Sequence, residues 1–117
     1  MNLGAMYVGD RCIVPRVWNT VSVWEKTRGL LGRPQLQQGE GMLIGDCRLV
    51  HSIGMRYPID LVFLDRSGCV RKLVRRLLPA RMAGSLSACA TLELAPGSLD
   101  AIGLREGDCL QWKEAGA

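Results

Sequence analysis
A chain of 117 residues suits a single domain with a sizeable core, and its composition, 48% hydrophobic and 22% charged without low-complexity tracts, excludes a disordered protein. No apolar run is long enough to span a bilayer, and Met1 to Asp10 lack the charged start and apolar centre of a secretory leader, so a cytoplasmic protein without membrane contact is expected. The net charge of +4 raises nucleic acid as a partner, but in a strand Arg71 and Arg75 face away from Lys72 and Arg76. No aromatic ring is interleaved for base stacking, which argues against that partner and for a solvated strand protected by its charge.

In chain order, residues 1–9 are read as a flexible start. Arg11 to Asn19 predicts a strand that Pro15 confines to an edge or a bulge. Ser22-Val-Trp-Glu25 is a capping box, in which the serine hydroxyl and the glutamate carboxylate each take a free amide of the first turn. Trp24, Thr27, Leu30 and Leu31 then fall on one face, predicting an amphipathic helix over residues 22–31 that Gly32 and Pro34 end. Arg28 in its later turns suits the helix carbonyl end or could reach a core acid such as Asp60. Met42 to Ile44 starts a strand, Gly45-Asp46 turns, and Cys47 to His51 runs on.

The stretch from Cys47 to Asp65 holds the single histidine, the longest apolar run and a carboxylate inside that run. Ile59, Leu61 and Phe63 point to one face of a strand, and Asp60, Val62 and Leu64 to the other. Both faces are mostly apolar, so the strand is expected under a second layer, and Asp60 must be paired, hydrogen-bonded or protonated. A structural role, accepting bonds from an arginine or a loop, outweighs a chemical one. Asp65-Arg-Ser-Gly68 predicts a turn into a partner strand, Cys69 to Leu78. Residues 80–87 read as a small, polar, mobile segment.

Ala88 to Ala95 alternates, with Ala90, Leu92 and Leu94 inward and Thr91 and Glu93 outward. Ser98 to Ile102 predicts a short helical turn stopped by Gly103, and Cys109 to Trp112 a last strand before a flexible end at residues 113–117. Many short strands with one helix predict a mainly β domain, α+β by content, built as a sandwich or barrel over residues 1–117. Five cysteines, at 12, 47, 69, 89 and 109, show no Cys-x-x-Cys pair. They read as small buried apolar residues in a reducing compartment, not as a disulfide frame or a metal site.

His51-Ser-Ile-Gly-Met-Arg-Tyr-Pro-Ile-Asp-Leu-Val-Phe-Leu-Asp65, with Thr27-Arg-Gly-Leu-Leu-Gly-Arg33 and Gly41-Met42-Leu43 before it and Leu92-Glu-Leu94 and Gly107-Asp108 after it, resembles a known family. It is the uncharacterised bacterial and archaeal family of domain of unknown function 192, and the likeness runs from about Ser22 to Trp112. Many members carry Trp-Met-Lys-Asn-Thr where this chain has His51-Ser-Ile-Gly-Met55, as in a shorter subgroup, so no role of that lysine or asparagine carries over. The resemblance implies a compact jelly-roll-like β fold with one helix and no established activity.

The residues support three readings. The first is a binding module in which His51, Met55, Arg56 and Tyr57 at the start of the central strand, with Asp60 and Arg28 behind them, hold a small anionic ligand or a peptide. The second is a hydrolase or isomerase using His51 with Asp60. The third is an assembly partner acting through an apolar patch or an edge strand. Cys47 and His51 lie about 13 Å apart along an extended strand, too far to share a metal. Neither cofactor nor metal is expected, and the domain is expected to be a monomer or weak dimer.

Overall fold
Ile59 to Leu64 forms a strand because bulky and β-branched residues fit a pleated surface, and all six residues are buried. The computed structural model describes residues 1–20 and 34–116, and in it this strand is the fifth of nine. The others are β1 (Asn2–Val8), β2 (Arg11–Asn19), β3 (Glu40–Gly45), β4 (Leu49–His51), β6 (Val70–Leu77), β7 (Met82–Gly84), β8 (Ala90–Leu94) and β9 (Gln111–Glu114), with β5 spanning Ile59–Leu64. Among the described residues there is one short helix, α1 (Ser98–Ile102), which ends at Gly103 in the left-handed conformation.

Seven strands form one sheet in the order β6-β5-β8-β3-β2-β1-β9, while β4 and β7 form a separate pair. Neighbours are antiparallel except β2 and β3, which run parallel. The sheets do not close into a barrel. Alternation along β5 works as expected: Val62 and Leu64 join Met6, Val14, Val17, Leu92 and Leu99 on one face, while Ile59, Leu61 and Phe63 join Leu36, Met42, Ile44 and Val50 on the other. Val50 and Ala83 carry the small sheet onto this second face. Between β5 and β6 the chain turns where Gly68, at φ 84°, donates its amide to the Asp65 carbonyl.

Several expectations change. The helix expected over 22–31 lies outside the described residues. Residues 1–9 are not a loose start, because Asn2–Val8 pairs with β2 on one side and β9 on the other. Likewise, β9 runs on to Glu114, and residues 80–87 contain β7. Thr91 and Glu93 are buried, since the second face of β8 is covered as well as the first. None of the five cysteines is fully buried, and Cys69 and Cys109 are joined in a disulfide across an isolated antiparallel bridge, leaving Cys12, Cys47 and Cys89 free. Spacing could not reveal that pair, because the two sulfurs meet through tertiary folding across a separation of 40 residues.

Candidate functional site
Asp60 is fully buried and its carboxylate is held by backbone amides. The β5–β6 register steps from Leu61↔Val74 to Ile59↔Leu77, so Arg75 and Arg76 together oppose Asp60 in a bulge. The Arg76 amide, at φ 53°, donates to Asp60 Oδ1 at 2.9 Å, and the Leu99 amide of α1 donates to Oδ2 at 3.0 Å. Gly97, at the helix start, has no capping side chain, so Asp60 supplies one from across the sheet. Its partners are backbone amides of β6 and α1, not an arginine side chain or a loop.

His51 is exposed on the small sheet, whose inner residue Val50 packs on the face opposite Leu99. No hydrogen bond or ion pair joins His51 to Asp60, so the structure does not assemble that dyad. Ser52 faces inward and acts as a staple. Its Oγ donates toward the Leu78 carbonyl at 2.6 Å and accepts the Arg81 amide at 2.9 Å, and its backbone amide donates to the Arg81 carbonyl at 2.8 Å. Met55 and Tyr57 pack on the second core face, Arg56 is exposed, and Arg28 lies outside the described residues.

These contacts tie residues 48–57 and 78–86 into one lobe with an unusual surface. Apart from Met1, every large hydrophobic residue exposed among the described ones lies here: Leu49, Ile53, Leu78, Met82 and Leu86. No Asp or Glu occurs between Asp46 and Asp60 or between Asp65 and Glu93, whereas those stretches carry Arg48, Arg56, Arg66, Arg71, Lys72, Arg75, Arg76 and Arg81. Arg75 pairs with Asp100 at 3.0 Å, and Arg71 approaches Asp65 at 4.0 Å. Arg48, Arg56, Arg76 and Arg81, all four exposed, lie within or just before the same stretches of chain as these apolar residues. Within the described residues β4 and β7 pair with each other alone; the outer edge of β7 is partly taken, its Gly84 carbonyl accepting from Lys72 Nζ at 2.7 Å, and no described strand pairs the outer edge of β4.

A second polar locus lies on the same sheet face. Paired positions align Leu61, Glu93, Met42 and Trp18 in a row across β5, β8, β3 and β2. Glu93 is buried, its Oε2 has no hydrogen-bond partner, and burial raises its pKa to about 7. The neighbouring Tyr57 hydroxyl is also buried without a hydrogen bond. Its pKa is raised by burial first and by the Glu93 charge second, while the nearby Leu36 backbone pulls the other way without reaching hydrogen-bond geometry. Alternation on β8 placed Glu93 outward; the signal that could have found it is that both neighbouring strands, β3 and β5, are apolar on the face it shares. A recess of about 260 Å³ opens beside Leu36 and Met42, bounded by Arg16, Trp18, Pro34 and Glu40.

Among the described residues no group of three or more His, Cys, Asp or Glu side chains is placed to hold a metal ion, and no helix is long and apolar enough to cross a membrane. The fold is similar to that of a Sinorhizobium meliloti protein assigned provisionally as a transcription regulator, with a TM-score of 0.79 at 21% identity over 95% of this chain and 92% of that one. It is also similar to a protein of unknown function from Novosphingobium aromaticivorans, with a TM-score of 0.70 at 19% identity over 96% of this chain and 84% of that one. At such identities the likeness concerns the fold. No curated protein matches the sequence. The profile of domain of unknown function 192 (uncharacterized ACR) covers residues 9–112, which takes in β2 to β8, the Asp60 anchor and the basic lobe, and the chain therefore belongs to that family.

Proposed function
We propose that the protein is a binding module whose lobe around His51 captures an acidic, partly apolar peptide segment. The observation that carries this reading is that the exposed Leu49, Ile53, Leu78, Met82 and Leu86 belong to two paired stretches, residues 48–57 and 78–86, that carry Arg48, Arg56 and Arg81 and no Asp or Glu. Apolar side chains supply the contact area, and Arg48, Arg56, Arg76 and Arg81 select negative charge and speed encounter. The outer edge of β4, which no described strand pairs, lets an extended peptide add as a third strand, which suits a peptide better than a small anion. Two copies of the lobe would repel each other, in keeping with a monomer. The cysteine argument for a cytoplasmic location loses its basis, because disulfides persist in oxidising compartments.

Amide shifts recorded during titration with an acidic peptide of alternating Glu and Leu test the reading. Shifts should concentrate at Leu49, His51, Met82 and Ala83, weaken with added salt, and be lost in an Arg56→Glu/Arg81→Glu variant. Silent lobe amides, or equal binding of a Lys/Leu peptide, would overturn it. So would binding to anionic vesicles in the absence of any response to the peptide.

A further inference from the structure
The basic lobe leaves Glu93 and Tyr57 unused. Glu93 Oε2 and the Tyr57 hydroxyl are, among the described residues, the buried side-chain polar atoms left without a hydrogen bond. Such atoms are uncommon in folded proteins, because each forfeits the hydrogen bonds that water supplied. Here the two are neighbours, since the Glu93 charge acts on the Tyr57 hydroxyl. Leu36 links them to the recess: its backbone lies near the Tyr57 hydroxyl, and the residue lines the recess. Met42, directly opposite Glu93 in the β3–β8 ladder, lines it too.

We propose that Glu93 and Tyr57 form the polar end of a binding site for a small alkylammonium group, free or borne on a lysine side chain, whose methylenes occupy the recess over Trp18, Leu36 and Met42. A carboxylate offers acceptors alone and a phenol can accept, so the missing partner is a donor. An ammonium brings three N–H groups and a compensating charge, whereas an anion would meet the like charge of Glu93. The recess is a little under the roughly 300–1,000 Å³ of ordinary ligand pockets, a size for a short chain and not for a nucleotide. Its surface is already compatible with a cation, because the Arg16 guanidinium sits 5.3 Å from the Trp18 ring centroid. Among the described residues, those lining the recess that bear a charge are Arg16, Glu40 and Met1 with its N-terminal ammonium; Arg16 Nε lies 3.8 Å from Glu40 Oε2, so that pair largely offsets itself, and the buried carboxylate oxygen without a hydrogen bond is Glu93 Oε2. This site is independent of the peptide reading for the lobe.

The test is an NMR titration of the full chain with butylammonium chloride, with Nα-acetyl-lysine amide and, as controls at matched ionic strength, with butanol and sodium chloride. Wild-type protein should show shifts at the Trp18 indole, the Met42 methyl and the Glu93 carboxyl carbon with at least one of the two amines and with neither control. Response to butylammonium marks a free amine as the ligand, and response to the lysine amide alone marks a side chain of a partner. Glu93→Gln, nearly the same shape, should weaken binding about tenfold or more, since a charge-assisted bond is lost. In wild type, saturating amine should also move the Glu93 titration to lower pH, a readout that requires no variant to fold. Absence of shifts with both amines, equal shifts with butanol, undiminished affinity in Glu93→Gln, or an unmoved Glu93 titration would overturn the assignment.

Discussion

Asp60 reaches across the sheet to Leu99, whose amide it accepts at 3.0 Å, and thereby fixes α1 to the strand at the centre of the domain. Because its second oxygen takes the bulged Arg76 amide, the carboxylate satisfies donors from two elements at once. Asp60→Asn keeps the shape but offers one acceptor oxygen, so one buried amide faces an NH2 group. A loss of about 1–3 kcal/mol is expected. Urea unfolding at neutral pH measures it, and amide exchange at Arg76 and Leu99 should rise before that of the remaining core. An unchanged midpoint would mean that the two bonds contribute nothing.

Glu93 sets a pH dependence of opposite sign to that of a salt-bridged acid. Its folded pKa of about 7 lies above the 4.5 of a glutamate in water, so the folded state holds a proton that the unfolded state releases between those values. Stability is therefore greatest below about 4.5 for this group and falls as pH rises through 7, by a total on the order of 3 kcal/mol. Glu93→Gln should flatten that decline. Denaturant midpoints at pH 5 and pH 8, compared between wild type and variant, check both statements; a parallel decline in the two proteins would assign the effect to another group.

Reduction should destabilise the domain. The Cys69–Cys109 bridge closes a loop with a separation of 40 residues, and removing it frees the unfolded chain by about 2–4 kcal/mol. Thermal melts with and without a phosphine reductant, beside a Cys69→Ser/Cys109→Ser variant, give the value. The backbone bonds from Val70 to the Asp108 carbonyl and from Leu110 to the Gly68 carbonyl should survive in the reduced protein, keeping the fold while lowering its melting temperature.

Gly4→Ala should cost about 1–3 kcal/mol through overpacking. An added Cβ would fall against the Lys113 carbonyl and within 2.6 Å of the Trp112 ring. Trp112 donates its indole N–H to the Val17 carbonyl at 3.0 Å, so the clash should displace the ring and alter its fluorescence. An unshifted emission spectrum with unchanged stability would show that β9 moves aside freely.

Much of the strand order along the chain is legible because alternation, prolines and glycines are local. The two-sided burial of β5 follows from five apolar residues, Ile59 and Leu61 to Leu64, in a run of six, and the need to solvate Asp60 follows from its place among them. The source of its donors does not, because Arg76 and Leu99 come from elements that only tertiary pairing brings alongside. The burial of Glu93 is hidden for a related reason: a period of two separates faces without saying whether both are covered. The Cys69–Cys109 pair is likewise a long-range property. His51, Arg56 and their neighbours are legible as a mixed basic and apolar group, yet of the partners of that surface Met82 and Leu86 come from a segment whose small residues read as a loop, and Leu78 from the end of the strand before it.

The position of β1 inside the sheet has a consequence for assembly. Its outer edge is closed by β9, with the Ala115 amide donating to the Leu3 carbonyl at 2.9 Å, so the earliest strand of the chain waits for the latest to cover it. A chain cut before Gln111 presents β1 as a naked edge. In the full chain the same edge can take β9 from a second molecule in place of its own, which makes reciprocal strand exchange the misassembly to which this topology is exposed.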